Sequence, residues 1–207
     1  MEALKLHLPE LATEQISNWL QHYNCQLKIS RPRQSKLGDY RCPQKEKGHI
    51  ISINSNLNKY SFLITLTHEI AHMMVWEEHR NRVAPHGNNW KLTFQKLMLN
   101  FLPLFPQDIL EPLALHLKNP KASSSQDVEL VLALRKYDNK VYKTIVDIPM
   151  GSAFRIANGK KFTKLKKLRK RYQCRAEHNN RLYLFNPLSE IIEEINPSSI
   201  ILYISNA

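Results

Sequence analysis

Asn58-Lys59-Tyr60-Ser61-Phe62-Leu63-Ile64-Thr65-Leu66-Thr67-His68-Glu69-Ile70-Ala71-His72-Met73-Met74-Val75-Trp76 runs without a Pro or a Gly. Its apolar residues Leu63, Leu66, Ile70, Met73 and Met74 recur three and four apart, the period of one helical face. The stretch is predicted to form one long helix. On it His68 and His72 stand one turn apart and project from the same face, with Glu69 beside the first of them. Two imidazoles so placed can reach one zinc ion at about 2.0–2.1 Å, while the neighbouring carboxylate is directed at water activated there.

A catalytic zinc takes three protein ligands and keeps one position open. The next candidates along the chain are Glu77, Glu78, His79 and His86. On a straight helix His79 would lie about 10.5 Å beyond His72, too far to share an ion, and Glu77 and Glu78 fail on similar grounds. His86 sits between Pro85, which stops a helix, and Gly87, which permits close backbone approach. There the chain can turn back and deliver an imidazole from another direction. His68, His72 and His86 are expected to bind one zinc, with Glu69 as the catalytic carboxylate.

Upstream of this helix, residues 9–23 carry an approximate helical stripe of Leu11, Ile16, Trp19, Leu20 and Tyr23. Three short β-prone runs follow, at 26–30, 37–42 and 49–53, and predict a small sheet. Downstream, helices are expected from Asn88 to about Phe101, near 109–117, and from Val128 to Tyr137, the last capped by Ser124 with Asp127. Beyond Asp138 the pattern changes to β-rich runs at 141–148, 152–157, 160–165, 169–177, 181–185 and 200–204. Asn158-Gly159 between two such runs predicts a two-residue hairpin turn.

The 207 residues, 43% apolar, suffice for a sizeable core, which excludes fibrous and wholly disordered readings. No apolar run approaches the ~20 residues that span a bilayer, so no membrane is expected as partner. The first residues lack the basic region and cleavage site of a leader, and Cys25, Cys42 and Cys174 are an odd number without a Cys-x-x-Cys pair. A cytoplasmic protein is expected. A net charge of +12 favours a polyanionic partner.

Taken together, His68-Glu69-x-x-His72, the gap that follows, and His86-Gly87-x-x-Trp90 resemble the SprT-like zinc metallopeptidases, relatives of the Spartan-type DNA-dependent proteases. The preceding Ile51-Ser52-Ile53-Asn54-Ser55-Asn56-Leu57 is similar to that family's strand-to-helix entry, and the likeness covers roughly residues 10–105. It implies an α+β fold with a zincin-like minidomain built on the HExxH helix, in which His68, His72 and His86 hold a single catalytic zinc and Glu69 is the catalytic residue. The chain departs from many members in lacking a four-cysteine ribbon, since only Cys174 lies in its last third. The expected organisation is a peptidase domain over 1–118, a linker and connecting helix over 119–138, and a small basic all-β module over 139–207.

Positive charge is concentrated in that module. Lys160, Lys161, Lys164, Lys166, Lys167, Arg169, Arg171 and Arg175 are candidates for nucleic-acid phosphates, and Phe162, Tyr172 and Tyr183 for base stacking. On a strand over 169–177, Arg169, Arg171, Gln173 and Arg175 would share one face. The expected function is zinc-dependent hydrolysis of a protein or peptide substrate, directed at DNA-bound or DNA-crosslinked proteins. Two readings stay open: a zinc-stabilised nucleic-acid-binding or adaptor protein without protease activity, and hydrolysis of a non-peptide substrate, since the motif specifies activated water better than the bond attacked.

Overall fold

The computed structural model describes residues 2–33, 35–44, 47–123, 127–140 and 142–195. The chain divides into two compact units, Met1–Asn139 and Lys140–Ala207. Helix and sheet are mixed, with a three-stranded sheet in the first unit and a five-stranded one in the second, so the class is α+β.

In the first unit a short α1 (Glu2–Lys5) and a 3-10 turn at Glu10–Ala12 lead into α2 (Thr13–His22), which buries Ile16 and Leu20. Leu11, expected on the apolar stripe, lies in the 3-10 turn and is exposed, because the tighter turn shifts it off the buried face. Strands β1 (Cys25–Ser30), β2 (Gly38–Arg41) and β3 (His49–Asn54) pair in the order β1-β3-β2, with β3 parallel to β1 and antiparallel to β2. Strand β3 buries His49, Ile51 and Ile53 with the period-two alternation of a pleated strand. Strand β2 is left at an edge.

Helix α3 (Lys59–His79) starts where Asn58 accepts, on Oδ1, the backbone N–H groups of Tyr60 and Ser61 at 3.1 and 2.9 Å, satisfying two donors that a helix start leaves orphaned. The same amide donates to the Leu134 carbonyl at 2.9 Å and to the Asp138 carboxylate at 2.6 Å. Phe62, Leu63, Ile64, Leu66, Ile70, Ala71 and Met73 are buried on all sides of α3, which makes it the central helix of the unit. It runs a turn-length beyond the expected end at Trp76. Helix α4 (Asn88–Leu99) lays Trp90, Phe94, Leu97 and Met98 into the core, followed by α5 (Gln107–Lys118) and α6 (Val128–Arg135). Leu130, Ala133 and Leu134 of α6 join the same core, so this helix packs within the first unit. The expected cap partner Ser124 lies outside the described residues. Asp127 turns its carboxylate to His116 Nδ1 and Lys121 Nζ, each 3.3 Å away, instead of capping α6.

In the second unit β4 (Ala153–Arg155), β5 (Lys161–Lys167), β6 (Tyr172–Ala176), β7 (Leu182–Phe185) and β8 (Glu193–Ile195) form an antiparallel sheet in the order β7-β6-β5-β4-β8. Phe154, Phe162, Tyr172, Cys174 and Ala176 point to its core with Ile145, Ile148 and Ile191. The described part of the run expected at 141–148, residues 142–148, is not a strand. Thr144 and Asp147 form a capping box, with the Thr144 N–H and hydroxyl both 2.8 Å from the Asp147 carboxylate, and this fixes a 3-10 turn at Ile145–Asp147. At Asn158-Gly159 only the glycine has positive φ (80°), and the Ile156 carbonyl accepts from the Gly159 N–H at 2.9 Å, so the hairpin uses a longer turn than the expected two-residue one. The expected strand at 200–204 lies outside the described residues. Among the described residues no helix is long and apolar enough to cross a membrane.

Candidate metal centre

The middle of α3 brings His68 and His72 onto one face, and a loop returns His86 to meet them. Arg80 ends α3 with φ 53°, an uncommon left-handed value for a non-glycine residue. Its N–H donates to the Trp76 carbonyl at 2.7 Å, its guanidinium lies 4.1 Å from the centre of the Trp76 ring, and it pairs with Glu77 at 3.2 Å. After this reversal a tight turn closes from the Gly87 N–H to the Ala84 carbonyl at 3.0 Å, with Pro85 and His86 at its centre.

The three Nε2 atoms converge. His68 and His72 are separated by 3.2 Å, His72 and His86 by 3.0 Å, and His86 and His68 by 3.3 Å. Three nitrogens each about 2.0–2.1 Å from a tetrahedral ion stand about 3.3 Å apart, so the triangle fits one face of such a coordination shell. Among the described residues this is the group of His, Cys, Asp and Glu side chains whose donor atoms could hold an ion together. Burial, reinforced by the neighbouring imidazoles, pushes His68 down to about 2 and His72 down to about 4; burial also lowers His86. All three are therefore neutral at pH 7, the form that ligates a metal. Trp90 is fully buried beneath them, its ring 4.5, 5.4 and 4.8 Å from those of His68, His72 and His86, and its Nε1 donates to the His68 carbonyl at 3.3 Å.

Glu69 is buried, and the backbone N–H of Tyr40 in the edge strand β2 faces its carboxylate. Burial, together with the nearby charge of Asp39, pushes its carboxyl up to about 8. A cleft of 760 Å³ opens beside it, lined by Gly38 to Cys42 of the β2 region and by His68, Glu69, His72, Trp76, Arg80 and His86. A smaller recess of 180 Å³, under Ile64, Thr65, Phe94 and His116, adjoins the same Glu69.

Several features escape local sequence patterns. His49 is buried between the Tyr40 hydroxyl, 2.9 Å from Nδ1, and Glu77, 2.8 Å from Nε2. His116 is likewise buried, against Phe94 and Asp127. Asn54 holds the preceding loop, donating to the carbonyls of Arg33 and Lys36 at 3.1 and 3.0 Å. Gly38 against Glu69 was signalled only by a glycine inside a β-prone run, a sign of close backbone approach.

In the second unit, Lys160, Lys161, Lys166, Lys167, Arg169, Arg171 and Arg175 are exposed. Lys164 is not available to phosphates: it points into the core, its Nζ donating to the carbonyls of Ile145 and Ile148 at 2.7 and 2.6 Å and lying 4.1 Å from the centre of the Tyr172 ring. Strand alternation places it on the same side as Phe162, with Cys174 opposite on β6. Arg169 and Arg171 lie in the turn before β6 rather than on a strand face. Phe162 and Tyr172 are buried, which removes them as stacking platforms, and Tyr183 remains partly exposed.

No curated protein and no solved structure matches the chain significantly. The SprT-like family model matches residues 8–108, a span that holds α2 to α4, the three-stranded sheet and all three converging histidines. Residues 8–108 are thus similar to the SprT-like family.

Proposed function

We propose that the first unit is a zinc-dependent endopeptidase with a zincin-like site. The observation that carries this is the triangle of His68, His72 and His86 nitrogens, 3.0–3.3 Å on a side, with the Glu69 carboxylate in the same cleft. Zinc held there would polarise a scissile carbonyl and acidify a water molecule. Glu69 takes the proton of the attacking water and hands it to the leaving amine nitrogen, and burial suits its carboxyl to this exchange near neutral pH. Trp90 keeps the three imidazoles in place by packing and by its bond to the His68 carbonyl. Strand β2 lies at the edge of the sheet beside the cleft, and its backbone groups not turned to β3 or Glu69 are placed to pair with an extended peptide, which favours a peptide over a non-peptide substrate.

Glu69→Gln tests the assignment. It should keep stoichiometric zinc while the cleavage of an unfolded protein falls by about 10²–10⁴-fold. Retained cleavage would remove Glu69 from its role. Zinc-loaded wild-type protein that cuts nothing would favour the adaptor reading.

We further propose that the second unit binds nucleic acid through Lys160, Lys161, Lys166, Lys167, Arg169, Arg171 and Arg175, whose exposure supports contact with phosphates, and so directs hydrolysis to DNA-bound proteins. The free state of all three cysteines suits the reducing cytoplasm.

A further inference from the structure

Gly38 occupies a place where the molecule has no room for a side chain. A Cβ built there would lie 2.5 Å from Glu69 Oε1, 2.9 Å from Glu69 Cγ and 2.8 Å from Thr65 Cγ2. The reason is space and not backbone conformation, since the glycines with positive φ are Gly151 and Gly159. The strand cannot back away. Gly38 is paired in register with Ile53 on β3, and the Leu37 carbonyl beside it accepts the Asn54 N–H at 2.9 Å. The loop leading in is fastened as well: Arg33 donates to Asn54 Oδ1 at 2.8 Å, to Ser52 Oγ at 3.0 Å and to the Ser52 carbonyl at 3.2 Å. Behind Glu69 stands the buried central helix, where Thr65 is locked by a 2.7 Å bond from its hydroxyl to the Ser61 carbonyl.

Glu69 is thus met on its strand side by β2, closely by the bare backbone of Gly38 and, beside it, by the N–H of Tyr40. From this the geometry points to Gly38 as the positioning residue of the Glu69 carboxylate: the missing side chain lets the edge strand press on the carboxylate and hold it toward the imidazole triangle. The inference rests on the role proposed for Glu69. A methyl group at position 38 pushes the carboxylate aside and leaves the three ligands untouched.

Gly38→Ala in the full chain, loaded with zinc and assayed on casein, is expected to lower kcat about 100-fold, the loss that follows a misplacement of about 1 Å. KM and zinc stoichiometry should stay within about twofold of wild type. A kcat within about threefold of wild type, a loss confined to KM, or a parallel loss of zinc would overturn the inference. Glu69→Gln serves as the control: if it remains active, the proposed role of Glu69 fails, whereas a dead Glu69→Gln beside an active Gly38→Ala refutes only the positioning by Gly38.

A cycle in thermal stability decides the steric claim without any activity. All four proteins carry Thr65→Ser, which removes the nearby methyl and keeps the hydroxyl. Gly38→Ala should lower the melting temperature when Glu69 is present and leave it unchanged in the Glu69→Ala background. Equal lowering in both backgrounds would show that the crowding lies elsewhere. If Gly38→Ala does not fold alone, recovery of folding on adding Glu69→Ala sustains the inference, and failure of both refutes it.

Discussion

Glu69 carries opposite demands on a single carboxyl. In its proposed role it must ionise to accept a proton, yet burial raises it to about 8 in the metal-free protein, from an ordinary value near 4.5. A group raised on folding stabilises the fold fully below its unfolded value, and that contribution is lost as pH climbs through the folded value. Metal-free Glu69→Gln should therefore gain little stability over wild type at pH 5 and progressively more toward pH 8. Melting temperatures of chelator-treated proteins across that range check this, and a constant difference would show that the carboxyl is not shifted. His68 and His72 are neutral in the fold and titrate only in the unfolded chain, equally in both proteins, so their contribution cancels in the difference. At this scale the sequence was most informative where spacing is local: His68 and His72 share one helix face, and Pro85 and Gly87 flank the turn that presents His86. It was silent where partners come from distant strands. Nothing near Glu69 in the chain announces Gly38 or Tyr40, and nothing near His49 announces Glu77, because those meetings are made by sheet order.

Among elements, α3 was readable from its apolar period and its lack of Pro and Gly, while its beginning is fixed by one side chain, Asn58. Asn58→Ala removes the cap, at a cost of about 1 kcal/mol, and also strips partners from the Leu134 carbonyl and Asp138. Chemical denaturation should show a loss exceeding that of a cap alone. Asn58→Asp, which can still accept from Tyr60 and Ser61 but cannot donate, should fall between the two. Equal stability of the aspartate variant and wild type would mean that the ties to Leu134 and Asp138 contribute nothing. Elements were misread where short polar groups overrode β propensity: the capping box of Thr144 and Asp147 turns a β-prone run into a 3-10 turn. Strand β8 went unnoticed because Glu193-Glu194-Ile195 has two acids in three residues, and pairing with β4, where Arg155 bonds Glu193 at 3.2 Å, makes it a strand.

For the whole molecule, charge and position separate the lysines that can meet a polyanion from the one that cannot. Lys166→Glu with Arg175→Glu should weaken binding of a single-stranded oligonucleotide and reduce the slope of log affinity against log salt by about one for each phosphate left unneutralised. Lys164→Met should leave that slope unchanged, because the Lys164 ammonium is spent on the Ile145 and Ile148 carbonyls. Fluorescence anisotropy between 50 and 200 mM salt, taken as roughly the range where phosphate pairing tells, is the measurement. Undiminished affinity after both charge reversals would exclude this face. Composition made the two-part organisation legible, since apolar helical periods give way to alternating basic runs, but it could not say that α6 packs with the first part.

Asn58 has a consequence for anyone who would excise the histidine-bearing unit. The segment shared with the family ends at residue 108, and the last residue of α5 is Lys118. Cutting at either point would discard Leu134 and Asp138, the far anchors of the amide that begins the histidine-bearing helix. The smallest autonomous fragment should accordingly run through Asp138.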